Sequence, residues 1–202
     1  MKKLKKIPVF KNEDEERDLW DTHDTTEYFD WSKAERVSFP NLQITDDPKW
    51  MWEAIKEAEI GAKEGNWGMG CVIVPDGKII GKGHNEGYSR KNRLIHAEIL
   101  ALEMAKDDLE AHRHQATLYT TYDPCPMCVG AMLVYKIKRL VTGIDLDHSG
   151  ATGLLDHLPP FYRQEKFHID VTQRILAQEC KEVYLKGKPA EKHIKQHKII
   201  LK

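Results

Sequence analysis

Asp123-Pro124-Cys125-Pro126-Met127-Cys128-Val129-Gly130-Ala131 is the stretch around which the rest of the chain is organised. Two cysteines with two residues between them can offer both thiolates to one metal ion from a single turn of chain. Upstream, His96-Ala97-Glu98 supplies an imidazole and, two residues on, a carboxylate. His96, Cys125 and Cys128 make three protein ligands, the number a catalytic Zn2+ takes while keeping a fourth position open for water. Zinc lowers the pKa of that water from ~15.7 toward ~7, so hydroxide exists at neutral pH. Glu98 remains as a non-ligand carboxylate able to take a proton from the water and hand it to a leaving group.

His-x-Glu followed by Pro-Cys-x-x-Cys is the signature of hydrolytic zinc deaminases. Hydroxide adds to an amino-bearing ring carbon, Glu98 protonates a ring nitrogen, and ammonia leaves. The flanking residues agree. Asp123 is a good helix N-cap and Pro124 suits the first helical position, which would put Cys125 and Cys128 on the first turn. The positive end of the helix dipole there favours thiolate. His96 sits in a run with Leu94, Ile95, Ile99 and Leu102, so it too should lie near a helix start. A Cys-x-x-Cys pair can instead be a structural zinc knuckle or a redox pair. The knuckle needs a fourth ligand, and Cys71 and Cys180 fall in strand-like and helix-like runs far along the chain. A redox pair leaves His-Ala-Glu without a role.

At 202 residues the chain suits one domain with appendages. A formal net charge of −1 gives no global pull toward nucleic acid or anionic membrane. Four cysteines, two of them committed to metal, fit a reducing cytoplasm better than a disulfide framework. No apolar stretch approaches the ~20 residues needed to span a bilayer, and no signal-peptide apolar region follows the basic start.

Three segments follow from the patterning. Residues 1–42 form an arm in which Glu13 to Asp30 is crowded with acids, with Leu19, Trp20, Tyr28, Phe29, Trp31 and Phe39 scattered among and after them. It reads as a solvated extension partly packed on the domain or on a second subunit, or as a partner-binding arm. Residues 43–185 form the zinc domain. Asp46-Asp47-Pro48 opens a helix that Gly65 ends. Cys71–Val74 and Lys78–Gly81 read as a hairpin turning at Pro75-Asp76-Gly77, with Asn85 in the loop beyond. A helix over 94–106, a strand over 116–121, a helix over 127–135 and a strand over 140–144 follow. Then comes a loop, 145–162, expected to wall a pocket. Its His148 and His157 are read as solvated, since three ligands already suffice. A strand over 167–171 and a helix over 174–185 complete the domain. Residues 186–202 read as a solvated basic tail. The fold class is α/β, a three-layer α/β/α sandwich with a mixed five-stranded sheet.

Residues from about Pro48 to Leu185 resemble the cytidine-deaminase-like superfamily, in the branch of fungal-type cytosine deaminases, guanine deaminases and tRNA adenosine deaminases. Leu118-Tyr119-Thr120-Thr121, Pro124-Cys125-Pro126-Met127-Cys128, Gly130-Ala131, Tyr135, Ile137, Arg139 and Gly143 resemble the fungal cytosine deaminase core. Gly150-Ala151-Thr152-Gly153 and Ile175 to Cys180 are similar to the tRNA enzymes. The resemblance implies zinc on His96, Cys125 and Cys128, Glu98 as proton shuttle, and Asn85 and the Ala97 N–H as substrate contacts. It also implies a homodimer. Two departures stand out: Asn66-Trp67-Gly68 where the family often has a valine–proline pair, and Asp123 where it often has glutamate. Separately, Glu13 to Tyr28 with Asp30 to Ala34 resembles the N-terminal segment of ribbon-helix-helix antitoxins, without the DNA-reading part. The function expected is zinc-dependent deamination of a free nucleobase or nucleoside, cytosine or guanine foremost. The alternatives are a tRNA adenosine deaminase and a non-catalytic zinc-containing binding module.

Overall fold

The alternating strand-like and helix-like runs assemble, in a computed structural model, into a five-stranded sheet covered on both faces. The structure describes residues 4–31, 45–112, 114–145 and 150–197. His148, Phe39, the antitoxin-like Ser32 to Ala34 and the last lysines of the tail lie outside them. The chain divides into two compact units, Met1–Ile44 and Thr45–Lys202.

In the first unit, helix α1 (Glu13–Thr22) is capped by Asn12, whose side chain accepts from the Glu15 N–H. A short 3-10 turn, Thr25–Glu27, follows. Trp20 gathers Phe10, Tyr28 and Phe29 around it at centroid separations of 6.3, 5.4 and 5.5 Å.

In the second unit, α2 (Asp47–Lys63) precedes β1 (Gly70–Val74) and β2 (Gly81–His84). Helix α3 (Ala97–Ala111) leads to β3 (Thr117–Tyr122), α4 (Pro126–Tyr135) and β4 (Arg139–Ile144). Three 3-10 turns, β5 (Asp170–Thr172), α5 (Ala177–Lys186) and α6 (Ala190–His197) complete it. The strand order is β2-β1-β3-β4-β5. β1 runs antiparallel to β2 and β3, and β3, β4 and β5 are parallel, so the sheet is mixed as expected. One apolar layer packs α3 and α4 on the sheet through Leu102, Leu109, Leu118, Met132 and Leu140. The other packs α2 and α5 through Met51, Ile55, Val72, Val141 and Tyr184.

Several boundaries moved, each for a local reason. β2 starts at Gly81 rather than Lys78, because Asp76 (φ 46°) and Gly77 (φ 75°) turn the chain and Lys78 N–H closes on Pro75 O. Its glycines let α3 lie directly on the strand: a Cβ at Gly81 would come within 2.2 Å of Ala101 O. α5 starts late because Arg174 and Leu176 have positive φ, which no helix interior accepts. Asp46 makes no side-chain cap bond. Instead the buried Asp47 takes a two-pronged bond from Arg139 (2.7 Å each) and one from the Tyr119 hydroxyl (3.0 Å). The tail is not simply solvated, since Ala190 is fully buried and Ile194 packs on the core.

Candidate active site

His96 and Cys125 occupy equivalent places, each the extended residue immediately before a helix, α3 or α4. The N-termini of both helices therefore meet here, bringing unpaired N–H groups and positive dipole ends to one spot. Cys128 lies on the first turn of α4, as expected, but the cap does not. Pro126, not Pro124, opens the helix. Asp123 is still leaving the sheet, its N–H bonded to Ile144 O at 2.7 Å.

Cys125 Sγ lies 3.6 Å from Cys128 Sγ, and both lie 3.5 Å from His96 Nδ1. A tetrahedral ion with bonds of ~2.3 Å to sulfur and ~2.0–2.1 Å to nitrogen sets these edges at about 3.8 and 3.6 Å. The triangle fits zinc, and His96, Cys125 and Cys128 could hold it. Without metal the three groups bind protons unequally. The hydrogen bond from Cys128 brings the Cys125 thiol down to about 3 against the opposing effect of burial, and His96 helps. The same bond, with burial, drives Cys128 far up. The bond to Cys125 raises His96.

Glu98 is buried beside this triangle, its Oε2 at 3.4 Å from Cys128 Sγ. Its other oxygen, Oε1, accepts from the fully buried Thr120 hydroxyl at 2.8 Å. Thr120 was not singled out in the sequence; the available signal was a threonine inside a strand that is otherwise buried.

Asn85 is buried, its Oδ1 accepting from Gly87 N–H and its own N–H donating to Met69 O, both at 3.0 Å. It lines a cavity of about 590 Å³ together with Trp67, Gly87, Tyr88, Lys91, Arg93 and His96. The structure thus places Asn85 and His96 on one cavity. Ala97 is the buried first residue of α3, so its N–H is one of the donors that the helix leaves unpaired.

The pocket wall was expected from the 145–162 loop. Its described part lines a separate concavity of about 500 Å³ with Phe167, Ile169 and Val171. His157 stays exposed. The described part of the loop reaches the metal region through Ala151, whose N–H donates to Pro124 O at 2.8 Å, and Thr152, whose hydroxyl donates to Asp123 Oδ2 at 3.0 Å. Burial pushes Asp123 up to about 6 against that bond. Trp67, the departure noted in the sequence, does line this wall; Tyr88, Lys91 and Arg93 were the missed wall residues.

A family model described as the cytidine and deoxycytidylate deaminase zinc-binding region matches residues 44–144. A second, for the CopG antitoxin of type II toxin–antitoxin systems, matches residues 5–49. A tRNA-specific adenosine deaminase of Bacillus subtilis is 33% identical over 164 residues, 76% of this chain and all of that one. A cytosine deaminase of Candida albicans is 37% identical over 111 residues, 54% of this chain and 74% of that one. Among solved structures, a chain from a study of A-to-I editing by tRNA wobble-position deaminases aligns with a TM-score of 0.56 at 30% identity, covering 67% of this chain and 98% of that one. A protein solved with 8-azaguanine shares the fold, with a TM-score of 0.58 at 21% identity over 70% of this chain and 84% of that one.

Proposed function

We propose a substrate for a chain that belongs to the cytidine and deoxycytidylate deaminase zinc-binding family: an adenosine presented in a tRNA-like RNA loop, converted to inosine. The observation that carries this is the charge on the cavity beside the metal ligands. Lys91 and Arg93 line it and no carboxylate does among the described residues. A free base has no phosphate for two cations to hold, whereas an RNA strand brings one on each side of the nucleoside. The whole-length similarity to a tRNA-specific adenosine deaminase supports the same reading.

The chemistry follows from the residues in place. Zinc on His96, Cys125 and Cys128 would supply an acidified water. Glu98 moves protons through Oε2: from the water to ring N1 of the adenine, then to the departing amine, so that water and adenosine become inosine and ammonia. Thr120 holds Oε1 and keeps Oε2 turned to the metal side. Asn85 orients the nucleoside from the cavity floor, and the Ala97 N–H donates to the ring. A second copy of the chain covers α4, which carries no charged residue and exposes Val134 at 69%. Two cysteines committed to metal, and Cys71 and Cys180 buried as thiols, fit a reducing, cytoplasmic setting.

A free cytosine or guanine, which the neutral net charge had favoured, is the competing reading, and the similarity to a cytosine deaminase supports it. RNA stem-loop turnover measured against salt separates the two. The RNA reading expects kcat/KM to fall steeply with salt, and Arg93→Glu to weaken binding and flatten the salt slope by about 1. Salt-independent turnover of free cytosine or guanine, unaffected by Arg93→Glu, would overturn it.

A further inference from the structure

Trp67 belongs to a stack that begins deep in the protein. Its ring lies on that of Tyr184 at 5.7 Å and 21°, and the buried Tyr184 ring meets Tyr122 at 5.1 Å. The backbone beside it lies directly against α5. A Cβ on Gly68 would come within 2.0 Å of Val183 O, so Asn66-Trp67-Gly68 is clamped against α5. Tyr88 meets Trp67 edge to face, at 6.2 Å and 76°. Asn66, itself fully buried, ties the two together: its Oδ1 accepts from the N–H groups of Tyr88 (3.1 Å) and Ser89 (2.8 Å). Two aromatic rings thus form a rigid corner in the cavity wall. Tyr88 is 54% exposed, while Asn85 and His96 in the same cavity are buried and half-buried. Along the loop, Lys91 and Arg93 fall between Tyr88 and His96.

We propose that the Trp67–Tyr88 corner is a stacking subsite for the nucleobase next to the reacting one in the strand, with Lys91 and Arg93 on the phosphate between them. The proposal rests on the RNA reading above. Rings preset by Tyr184 and Asn66 lose little freedom when a base lands on them, and every base offers a face to stack. In the lining of this cavity of about 590 Å³, Tyr88, Lys91 and Arg93 are the exposed residues, and a second base would meet them first. Loss of one such contact costs roughly tenfold to hundredfold in binding.

The test uses a short single-stranded RNA containing one adenosine flanked by 2-aminopurine, and the same RNA with an abasic flank. Stacking on Trp67 and Tyr88 quenches 2-aminopurine fluorescence. The zinc-loaded full chain should quench it, and should bind and deaminate the abasic RNA roughly tenfold to hundredfold less well. Trp67→Ala and Tyr88→Ala should abolish the quench and make the two RNAs equivalent, whereas Trp67→Phe should retain both effects. Tyr88→Ala removes a half-exposed ring, so it tests the corner even where Trp67→Ala unsettles α5. Equal handling of the two RNAs by the wild-type chain, or an undiminished quench in Tyr88→Ala, would overturn the subsite. Deamination without a flank effect sinks the subsite and leaves the reaction standing. A variant-sensitive quench without deamination does the reverse.

Discussion

Replacing Thr120 with valine should cripple turnover while leaving substrate binding alone. The threonine is fully buried behind Glu98, and its hydroxyl lies 2.8 Å from Oε1. That hydroxyl has one proton and two candidate acceptors, the other being Tyr122 O at 3.1 Å. The carboxylate is both closer and charged, so it holds the proton. Valine keeps the shape and removes the donor. A hydrogen bond to a charged group contributes ~1.5–3 kcal/mol, and Glu98 is buried enough that little water can replace the partner. Applied wholly to the proton-transfer step, that is roughly a 10- to 150-fold fall in kcat. Thr120 does not line the cavity, so KM should stay within about twofold. Steady-state ammonia release, with zinc content measured on the same sample, reads both parameters. Thr120→Ser, which restores the donor, should recover most of kcat. A Thr120→Val enzyme that keeps one zinc and full kcat would refute the idea that Glu98 needs this anchor.

Other consequences are equally direct. Glu98→Gln should keep zinc and lose deamination, since the amide cannot accept the water's proton; retained activity would remove Glu98 from the proton transfer. Zinc affinity should fall on acidification, because His96, whose proton is stabilised by Cys125, must lose that proton to solvent before it can bind the metal; titration with a zinc-sensitive dye across pH checks the sign. Asp47→Asn should cost ~1.5–3 kcal/mol in urea unfolding, as it removes the charge from the two-pronged bond with the half-buried Arg139. Arg139 holds the Asp47 carboxyl below the ordinary carboxylate range. The wild-type advantage is therefore complete above the unfolded-state pKa and is lost as pH falls through the lower folded value. Gly143→Ala, whose Cβ would meet Cys180 Sγ at 2.4 Å and Thr121 O at 2.5 Å, should destabilise by ~1–3 kcal/mol in the same assay.

The candidate metal ligands were legible because each motif is contiguous and its chemistry depends on residue type, and local pattern placed helix starts near His96 and the Cys-x-x-Cys turn, though the second start lies two residues later than its capping signal suggested. What escaped was tertiary. β2, Gly81-Lys82-Gly83-His84, has none of the residues that favour strands; its glycines serve the approach of α3, which sequence periodicity cannot show. Asp123 was read as a cap, yet its environment is set by Thr152, 29 residues away. The described part of the 145–162 loop does wall a concavity, but the one that Asn85 and His96 share is lined by the 85–96 segment and Trp67. The net charge of −1 averaged over Lys91 and Arg93 and so gave no sign of two cations on one cavity. Thr120 becomes recognisable as a partner of Glu98 only once β3 and α3 are packed together.

The most direct measurement is a turnover panel with the zinc-loaded full chain. Free cytosine, guanine, adenine and their nucleosides are set beside an RNA stem-loop carrying one adenosine in its loop. Ammonia is followed together with digestion of the RNA to nucleosides. Inosine from the stem-loop, matched by ammonia one for one and absent from Glu98→Gln, is the result expected. Turnover confined to a free base, with the stem-loop untouched, would contradict it.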